Sequence, residues 1–205
     1  MARPADTRDR LLRAASDLIW TGSYGGTSVD DICAKADVRK GSFYHHFASK
    51  CDLAVACFRH GFETEKRPLM DATFSASLPP LRRLELHCQG IVETQAAMAE
   101  KYGFVVGCPL FTIGGETCTS ELLLRRAIQE LIGLILRYFE TMIRDGMADG
   151  DIPVCDPTST ARTLFAYFEG LLSQARIYND LTPLNQAYSG ALLLLRASPS
   201  RVQAA

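Results

Sequence analysis

The sequence predicts an all-α protein, and three observations carry that prediction. Apolar residues recur at the three- and four-residue spacing of amphipathic helices through most of the chain. No stretch alternates apolar and polar residues as a half-buried strand does. Glycine and proline interrupt the helical spacing at intervals, so the chain divides into several helices of ordinary length.

Length and composition describe an ordinary globular protein. The chain has 205 residues, of which 47% are hydrophobic and 22% are charged, so it can bury a substantial core in one large domain or two small ones. This composition excludes a disordered, collagen-like or low-complexity protein. The first residues show no apolar signal segment, and the longest apolar runs are too short to cross a bilayer. We therefore expect a cytoplasmic protein without a membrane partner.

The seven cysteines are not expected to form a disulfide framework. Their number is odd, no two are spaced as Cys-X-X-Cys, and a cytoplasmic location keeps thiols reduced. Most of them should be small buried apolar residues.

Four helices are predicted in the first third of the chain. Residues 7–21 carry an apolar stripe from Leu11 to Ile19, and three nearby glycines end that helix. A short helix opens at Thr27-Ser28, and a tight break at 36–38 separates it from a second short helix at about 40–46. Ser49 caps the fourth helix, which Pro68 should kink or end.

The remaining helices are longer and more apolar. One starts at Pro79-Pro80 and runs to about Lys101, and Tyr102–Gly115 is predicted to be irregular because it holds several glycines and Pro109. Long helices follow at 119–146 and 157–179, and a last one begins at Pro183. We expect two domains, with an N-terminal three-helix head at 1–50 and a helical regulatory and dimerisation domain at 51–205.

Two short helices joined by a tight turn are typical of a helix-turn-helix, whose second helix enters the major groove of DNA. Phe43 and Phe47 lie four residues apart and can anchor that second helix to the core of the head. The opposite face then presents polar side chains to DNA bases and phosphates. The candidate contact residues on this face are Arg39, Lys40, Ser42, Tyr44 and His45.

Three further residues are candidates for contact with the DNA backbone. Gly41 permits a close approach of the helix to the groove wall. Thr27 and Lys50 lie at the N-terminal ends of the flanking helices, where a phosphate is favoured.

The head resembles the DNA-binding domain of the TetR family of bacterial transcriptional regulators over about residues 7–55. The segments that carry the resemblance are Thr27-Ser-Val-Asp-Asp-Ile32, Ala36-Asp-Val38, Lys40-Gly-Ser-Phe-Tyr-His-His-Phe47 and Ser49-Lys50. Two positions depart from the family pattern. Asp37 stands where the family usually has glycine, although aspartate tolerates a left-handed backbone better than most residues. Arg39 replaces the usual Ser or Thr cap.

The distribution of charge agrees with a DNA-binding head. The whole chain carries a formal charge of −1, yet residues 1–50 hold eight Lys and Arg against six Asp and Glu, which leaves fourteen against seventeen for the rest. The alternative is that the basic residues of 39–50 only solvate a helix face. A second alternative is a helix-turn-helix module that binds a protein partner.

The resemblance implies that the body of the chain forms a homodimer and binds a small-molecule effector. The helices at 119–146 and 157–179 are the expected dimer face, and each holds a central glycine, Gly133 and Gly170, that allows close backbone approach. Few charges fall on the inner helix faces, which favours an apolar effector. Aromatic side chains near the irregular segment are candidates for its pocket, with burial in the core as the alternative: Phe104, Phe111, Phe139, Phe165 and Phe168.

Cys108 and Cys118 are additional candidates. The segment Gly107-Cys-Pro-Leu110 resembles one found in a branch of the family whose members respond to electrophiles or oxidants through cysteine. Cys108 stands at a predicted helix start, where the helix dipole lowers a thiol pKa, and Cys118 is a candidate resolving partner. A thiol-based sensor is therefore an alternative function, and a structural cysteine at a tight turn is the competing interpretation.

An enzyme is not expected. The chain lacks a phosphate-binding glycine loop and metal-ligand spacing, and all four histidines fall between positions 45 and 87, away from any Ser-His-Asp pattern. No cofactor or bound metal is predicted. The sequence therefore predicts a DNA-binding transcriptional regulator, most simply a homodimeric repressor that a small apolar or electrophilic effector releases from double-stranded operator DNA.

Overall fold

The computed structural model describes residues 6–197, which form helices joined by short turns and contain no strand. This confirms the predicted all-α class. No helix in the described part of the chain is long and apolar enough to span a membrane. The helices are α1 (Thr7–Thr21), α2 (Val29–Ala36), α3 (Lys40–His46), α4 (Lys50–Gly61), α5 (Arg67–Thr73), α6 (Pro80–Tyr102), α7 (Pro109–Thr117), α8 (Leu122–Ala148), α9 (Pro157–Tyr178) and α10 (Ala187–Leu195).

The chain divides into two compact units. The first comprises Met1–Glu65 and Pro109–Leu131, and the second comprises Lys66–Cys108 and Ile132–Ala205. The first unit thus adds a distant segment to the predicted head. The functional boundary between residues 50 and 51 stays a prediction.

The helices α1, α2 and α3 pack around a small apolar core in the first unit. Leu11, Ile32 and Phe43 are fully buried there, one from each helix. The tight break between α2 and α3 is made by Asp37, whose φ of 51° and ψ of 54° place it in the left-handed region. The Arg10 guanidinium stabilises this turn by donating hydrogen bonds to the Ala36 carbonyl oxygen at 2.9 and 2.5 Å.

A capping box fixes the start of α2. The Ser28 hydroxyl accepts a hydrogen bond from the backbone nitrogen of Asp31, and the Asp31 carboxylate accepts one from the backbone nitrogen of Ser28. The helix therefore opens at the predicted position, with Ser28 as its N-cap.

The predicted interruption near Pro68 takes the form of a change of helix type. A π-helical segment, Phe62–Lys66, separates α4 from α5, and Pro68 stands in the first turn of α5. A proline in the first turn removes no needed hydrogen-bond donor, so the helical path continues through it.

Part of the segment predicted to be irregular is helical. Gly103 and Gly107 adopt left-handed conformations, with φ of 81° and 73°, but α7 begins directly afterwards at Pro109. The prediction weighed Pro109 and the glycines of this segment as helix breakers. Proline is favourable in a first turn, so Pro109 begins α7 instead of preventing it.

The long helix predicted at 119–146 runs from Leu122 to Ala148. The helix α8 continues through Gly146 to Ala148. An ideal Cβ on Gly146 would lie 2.6 Å from the Ile152 side chain, so the glycine makes room for the returning chain instead of ending the helix.

Candidate nucleic-acid interface

The helix α3 is held by one aromatic face and exposes the other. Phe43 is fully buried and Phe47 nearly so, as the four-residue spacing predicted. Tyr44 is 53% exposed, and His45 is exposed beside it. The exposed side of α3 therefore carries a hydroxyl and an imidazole that are free to face a second molecule.

Lys40 forms an ion pair that the sequence analysis did not predict. Its Nζ lies 2.8 Å from Oδ1 and 3.0 Å from Oδ2 of Asp30, which stands in the first turn of α2. The hydrogen bond and the charge of this carboxylate raise the pKa of Lys40. The pair joins the first turns of the two helices of the helix-turn-helix.

The other candidates on α3 lie at its start. Arg39 is the exposed N-cap residue, and its side chain forms no capping hydrogen bond, as expected from the absence of Ser or Thr. Gly41 is exposed, and an ideal Cβ there would meet nothing within 4 Å, so the chain itself does not require glycine at this position. Ser42 is half-buried.

Thr27 and Lys50 are both engaged within the head. Thr27 is buried, and its hydroxyl donates a hydrogen bond to the Ser23 carbonyl oxygen at 2.8 Å. The Lys50 ammonium donates hydrogen bonds to the carbonyl oxygens of Tyr24 and Thr27, each at 2.8 Å, and lies 4.1 Å from the centroid of the Tyr24 ring. Contact of either residue with phosphate stays a prediction.

Sequence reasoning missed three residues that hold the turn between α1 and α2. The Glu116 carboxylate accepts hydrogen bonds from the backbone nitrogens of Tyr24 at 3.0 Å and Gly25 at 2.6 Å. The Tyr24 hydroxyl donates to Glu121 at 3.0 Å, and burial together with this bond raises the pKa of Tyr24. About ninety residues separate these partners along the chain, so no local pattern could have indicated them.

Two of the candidate effector residues meet in an aromatic cluster of the second unit. The ring centroids of Phe139 and Phe168 are 5.9 Å apart, and each lies within 5.3 Å of the His87 ring. Phe74 closes the cluster at 5.4 Å from His87. Burial, assisted by the charge of Lys66, lowers the pKa of His87 to about 3, so this imidazole is neutral.

Cys108 stands beside two charged side chains that the sequence analysis did not single out. Its thiol donates a hydrogen bond to the Glu169 carboxylate. The positive charge of the Lys66 ammonium also favours the ionised form of this carboxylate. Glu169 is 4% exposed, its Oε2 has no hydrogen-bond partner, and burial raises its pKa to about 7. Gln95 fixes the loop before Cys108 with two hydrogen bonds. Its side-chain amide donates one to the carbonyl oxygen of Gly107 and accepts one from the backbone nitrogen of Gly107.

The other effector candidates do not join these groups. Phe104 and Phe165 are half-buried in the second unit, whereas Phe111, which is 50% exposed, and Cys118 belong to the first unit. A cleft of about 260 Å³ in the second unit is lined by none of the predicted residues. Its lining consists of Pro153, Val154, Cys155, Thr160, Leu194, Leu195 and Arg196.

Comparison with known proteins identifies the family to which the chain belongs. Residues 11–57 match the sequence model of the bacterial regulatory proteins of the tetR family, and residues 80–191 match that of the tetracyclin repressor-like C-terminal domain. The chain belongs to the TetR family. The sequence prediction of a DNA-binding transcriptional repressor with a helix-turn-helix head and a helical C-terminal domain is thereby confirmed.

Curated relatives in this family match nearly the whole chain. The HTH-type transcriptional repressor DhaR of Mycobacterium sp. (strain GP1) is 28% identical over 91% of this chain and 90% of its own length. The transcriptional regulator AcuR of Cereibacter sphaeroides is 29% identical over 85% of this chain and 78% of its own. The repressor NemR of Escherichia coli K12 is 24% identical over 89% and 90%. These relatives are described as transcriptional regulators or repressors.

Solved structures of the family show the same fold. The reduced form of E. coli NemR superposes with a TM-score of 0.82 at 21% identity and covers 95% of this chain and 100% of that one. The regulatory protein TetR from Rhodobacter sphaeroides gives a TM-score of 0.80 at 27% identity over 90% and 96%.

Proposed function

We propose that this TetR-family chain binds a palindromic operator as a homodimer and places α3 of each subunit in the major groove. The observation that carries the proposal is the two-sided character of α3, on which Phe43 is fully buried while Tyr44 and His45 are exposed. A helix anchored by one face and polar on the other presents a fixed set of donors to base edges and phosphates.

The contact residues fall into two groups. Arg39, Lys40, Tyr44 and His45 are exposed and contact DNA directly, with Ser42 and Gly41 beside them. Thr27 and Lys50 contribute by holding the turn before α2, because their polar groups are already bonded inside the head.

The dimer face of this proposal uses α9 and α10. The apolar stripe of the 119–146 region is buried within the chain from Leu124 to Ile143, and the exposed leucines of that helix, Leu122 at 54% and Leu123 at 58%, lie at its N-terminal end. In contrast, α9 exposes Ile177 at 76% and α10 exposes Leu193 at 79%. Gly170 is also exposed on α9, and an ideal Cβ there would meet nothing within 4 Å, which leaves room for a close partner helix.

The effector site belongs to the helical body, and its chemistry is set by Cys108, Glu169 and Lys66. An apolar effector would use the aromatic cluster around His87. The second candidate function, a thiol-based electrophile or redox sensor, is favoured by the half-exposed Cys108 thiol, which bonds to a buried carboxylate. The solved structure of NemR from E. coli is of a reduced form of that protein. Either effector acts by binding more tightly to the conformation of the dimer in which the spacing of the two heads does not fit DNA. A repressor of this kind works in the cytoplasm, where bacterial DNA lies.

The salt dependence of binding tests the DNA-binding role directly. The wild-type chain selects a duplex from a random library, and its affinity for that duplex is measured from low to moderate salt. Contact with several phosphates gives a log–log slope of several units, about −0.9 for each phosphate. A slope near zero, or failure to select any duplex while a protein partner is bound, would favour an interaction module instead.

A further inference from the structure

Asp30 and Asp31 are adjacent acidic residues at the start of α2, and the structure gives them different partners. Asp31 closes the capping box with Ser28, and this hydrogen bonding lowers the pKa of Asp31. Asp30 takes no part in that cap. Its two carboxylate oxygens both face the Lys40 ammonium, across the turn of the helix-turn-helix. The Asp31 carboxylate therefore caps the helix, whereas the Asp30 carboxylate has the Lys40 ammonium as its partner.

The pair between Asp30 and Lys40 is exposed to water and easily exchanged. The two side chains are 70% and 54% exposed, and surface ion pairs of this kind contribute little to stability. A DNA phosphate or a guanine edge can therefore compete for the Lys40 ammonium, but only by replacing or accommodating the Asp30 carboxylate. The same carboxylate repels any phosphate that approaches the start of α2.

We propose that Asp30 is a specificity-determining positioning residue, which directs the Lys40 ammonium towards one place in the major groove and withholds it from arbitrary phosphates. On an arbitrary duplex, Lys40 remains with Asp30, and the carboxylate opposes close approach. On the cognate duplex, the ammonium contacts a base edge from the position in which Asp30 holds it, and lysine contacts with guanine acceptors discriminate guanine from the other bases. This inference rests on the proposed contact of Lys40 with DNA.

The head contains a matched control for the charge change. Asp17 on α1 pairs with Lys35 on α2 at 3.5 Å, also at the surface of the head, so Asp17→Asn removes the same charge and a similar ion pair without touching Lys40. The test uses Asp30→Asn and Asp30→Ala of the full chain, which both keep Asp31 and its capping box intact.

The experiment measures affinity for the duplex selected by the wild-type chain and for a scrambled duplex of equal length, over a range of salt concentrations. Both Asp30 variants should bind the scrambled duplex more tightly, with a slope steeper by about one phosphate contact, so that the ratio of specific to non-specific affinity falls at least about threefold. Asp17→Asn should leave that ratio unchanged. In a Lys40→Ala background, Asp30→Asn should lower the ratio by clearly less than in the wild-type chain, because only the direct repulsion between the carboxylate and phosphate is then removed.

An unchanged ratio in the Asp30 variants would overturn the inference, as would an equal fall in Asp17→Asn or a fall of undiminished size without Lys40. These results differ from failure of the underlying contact. If Lys40→Ala binds both duplexes as the wild-type chain does, Lys40 does not contact DNA, and the proposed interface itself is wrong.

Discussion

The Glu116 carboxylate lies 2.6 Å from the backbone nitrogen of Gly25, at the turn that leads into the helix-turn-helix. An ideal Cβ on Gly25 would stand 2.9 Å from the same carboxylate oxygen, so a larger residue here would require the Glu116 carboxylate to shift. Glu116 stands in the last turns of α7, a helix that begins one residue after Cys108. The turn before the helix-turn-helix is thus held by a side chain from the 109–131 segment.

Glu116→Ala should loosen this turn and weaken operator binding. The variant leaves the backbone N–H groups of Tyr24 and Gly25 without their protein acceptor, and loss of such bonds at a partly exposed site costs about 1 kcal/mol. Hydrogen exchange at residues 23–27 reports the loosening, and fluorescence anisotropy on the selected duplex reports the affinity. Glu130→Ala is the control, because it removes only the exposed ion pair of Glu130 with Arg59. Equal exchange rates in the two variants would show that Glu116 does not hold the turn.

Leu193→Glu should dissociate the dimer. A carboxylate at the centre of an apolar interface must be desolvated, so the dissociation constant should rise about tenfold or more. Sedimentation velocity measures the mass of the variant, and Leu69→Glu, which changes a 46% exposed leucine on α5, serves as the control. A Leu193→Glu protein that sediments like the wild-type chain would place the dimer face elsewhere.

His87 should make the protein less stable in mild acid. Its pKa is lowered to about 3 in the folded chain, whereas an unfolded histidine titrates near about 6.5. Between these values the unfolded chain binds a proton that the folded chain does not, so stability is present above about pH 6.5 and is lost as the pH falls, at up to about 1.4 kcal/mol per pH unit.

Urea unfolding at pH 7 and pH 5 measures this effect. His87→Phe, which keeps an aromatic ring in the cluster, should lose about 2 kcal/mol less stability over that interval than the wild-type chain. His60→Phe, which changes an exposed histidine, should retain the wild-type response. Identical pH dependence in His87→Phe and the wild-type chain would mean that His87 is not buried as a neutral group.

The reactivity of Cys108 should respond in opposite directions to its two charged neighbours. The Glu169 carboxylate disfavours a thiolate beside it and Lys66 favours one, so Glu169→Gln should speed alkylation by N-ethylmaleimide at pH 7.5 and Lys66→Met should slow it. Mass spectrometry of the Cys108 peptide measures the rate, and the half-exposed Cys155 of the same molecule is the internal control. If Cys108 is alkylated at the wild-type rate in both variants, Glu169 and Lys66 do not influence its thiol. If Cys108 in the native chain reacts no faster than in the denatured chain, the hypothesis of a thiol-based sensor is wrong.

Local features of the sequence predicted the head well. The bounds of α3, the burial of Phe43 and Phe47 and the left-handed Asp37 all follow from spacing and backbone preference within a few residues. These are features for which neighbours along the chain decide the structure. They are also the features on which the family resemblance was based.

Interactions between distant residues could not be predicted in the same way. The bond between Glu116 and Gly25 and the association of Glu169 with Cys108 join side chains from different elements, and no periodic pattern marks such pairs. Pro109 was interpreted as a helix breaker because that is its average behaviour, whereas it stands in the first turn of α7, where proline is favourable. The Asp30–Lys40 pair could not be predicted because the two residues lie ten positions apart on different helices.

The measurement that tests the central claim most directly is operator binding by a chain carrying both Lys40→Ala and Tyr44→Ala. Both side chains are exposed on α3, so the variant should fold and dimerise as the wild-type chain does, which sedimentation and thermal unfolding verify. We expect the footprint of this double variant on the selected duplex to disappear and its affinity for that duplex to fall to the level measured for a scrambled duplex. A retained footprint with wild-type affinity would contradict the assignment of α3 as the DNA-reading helix.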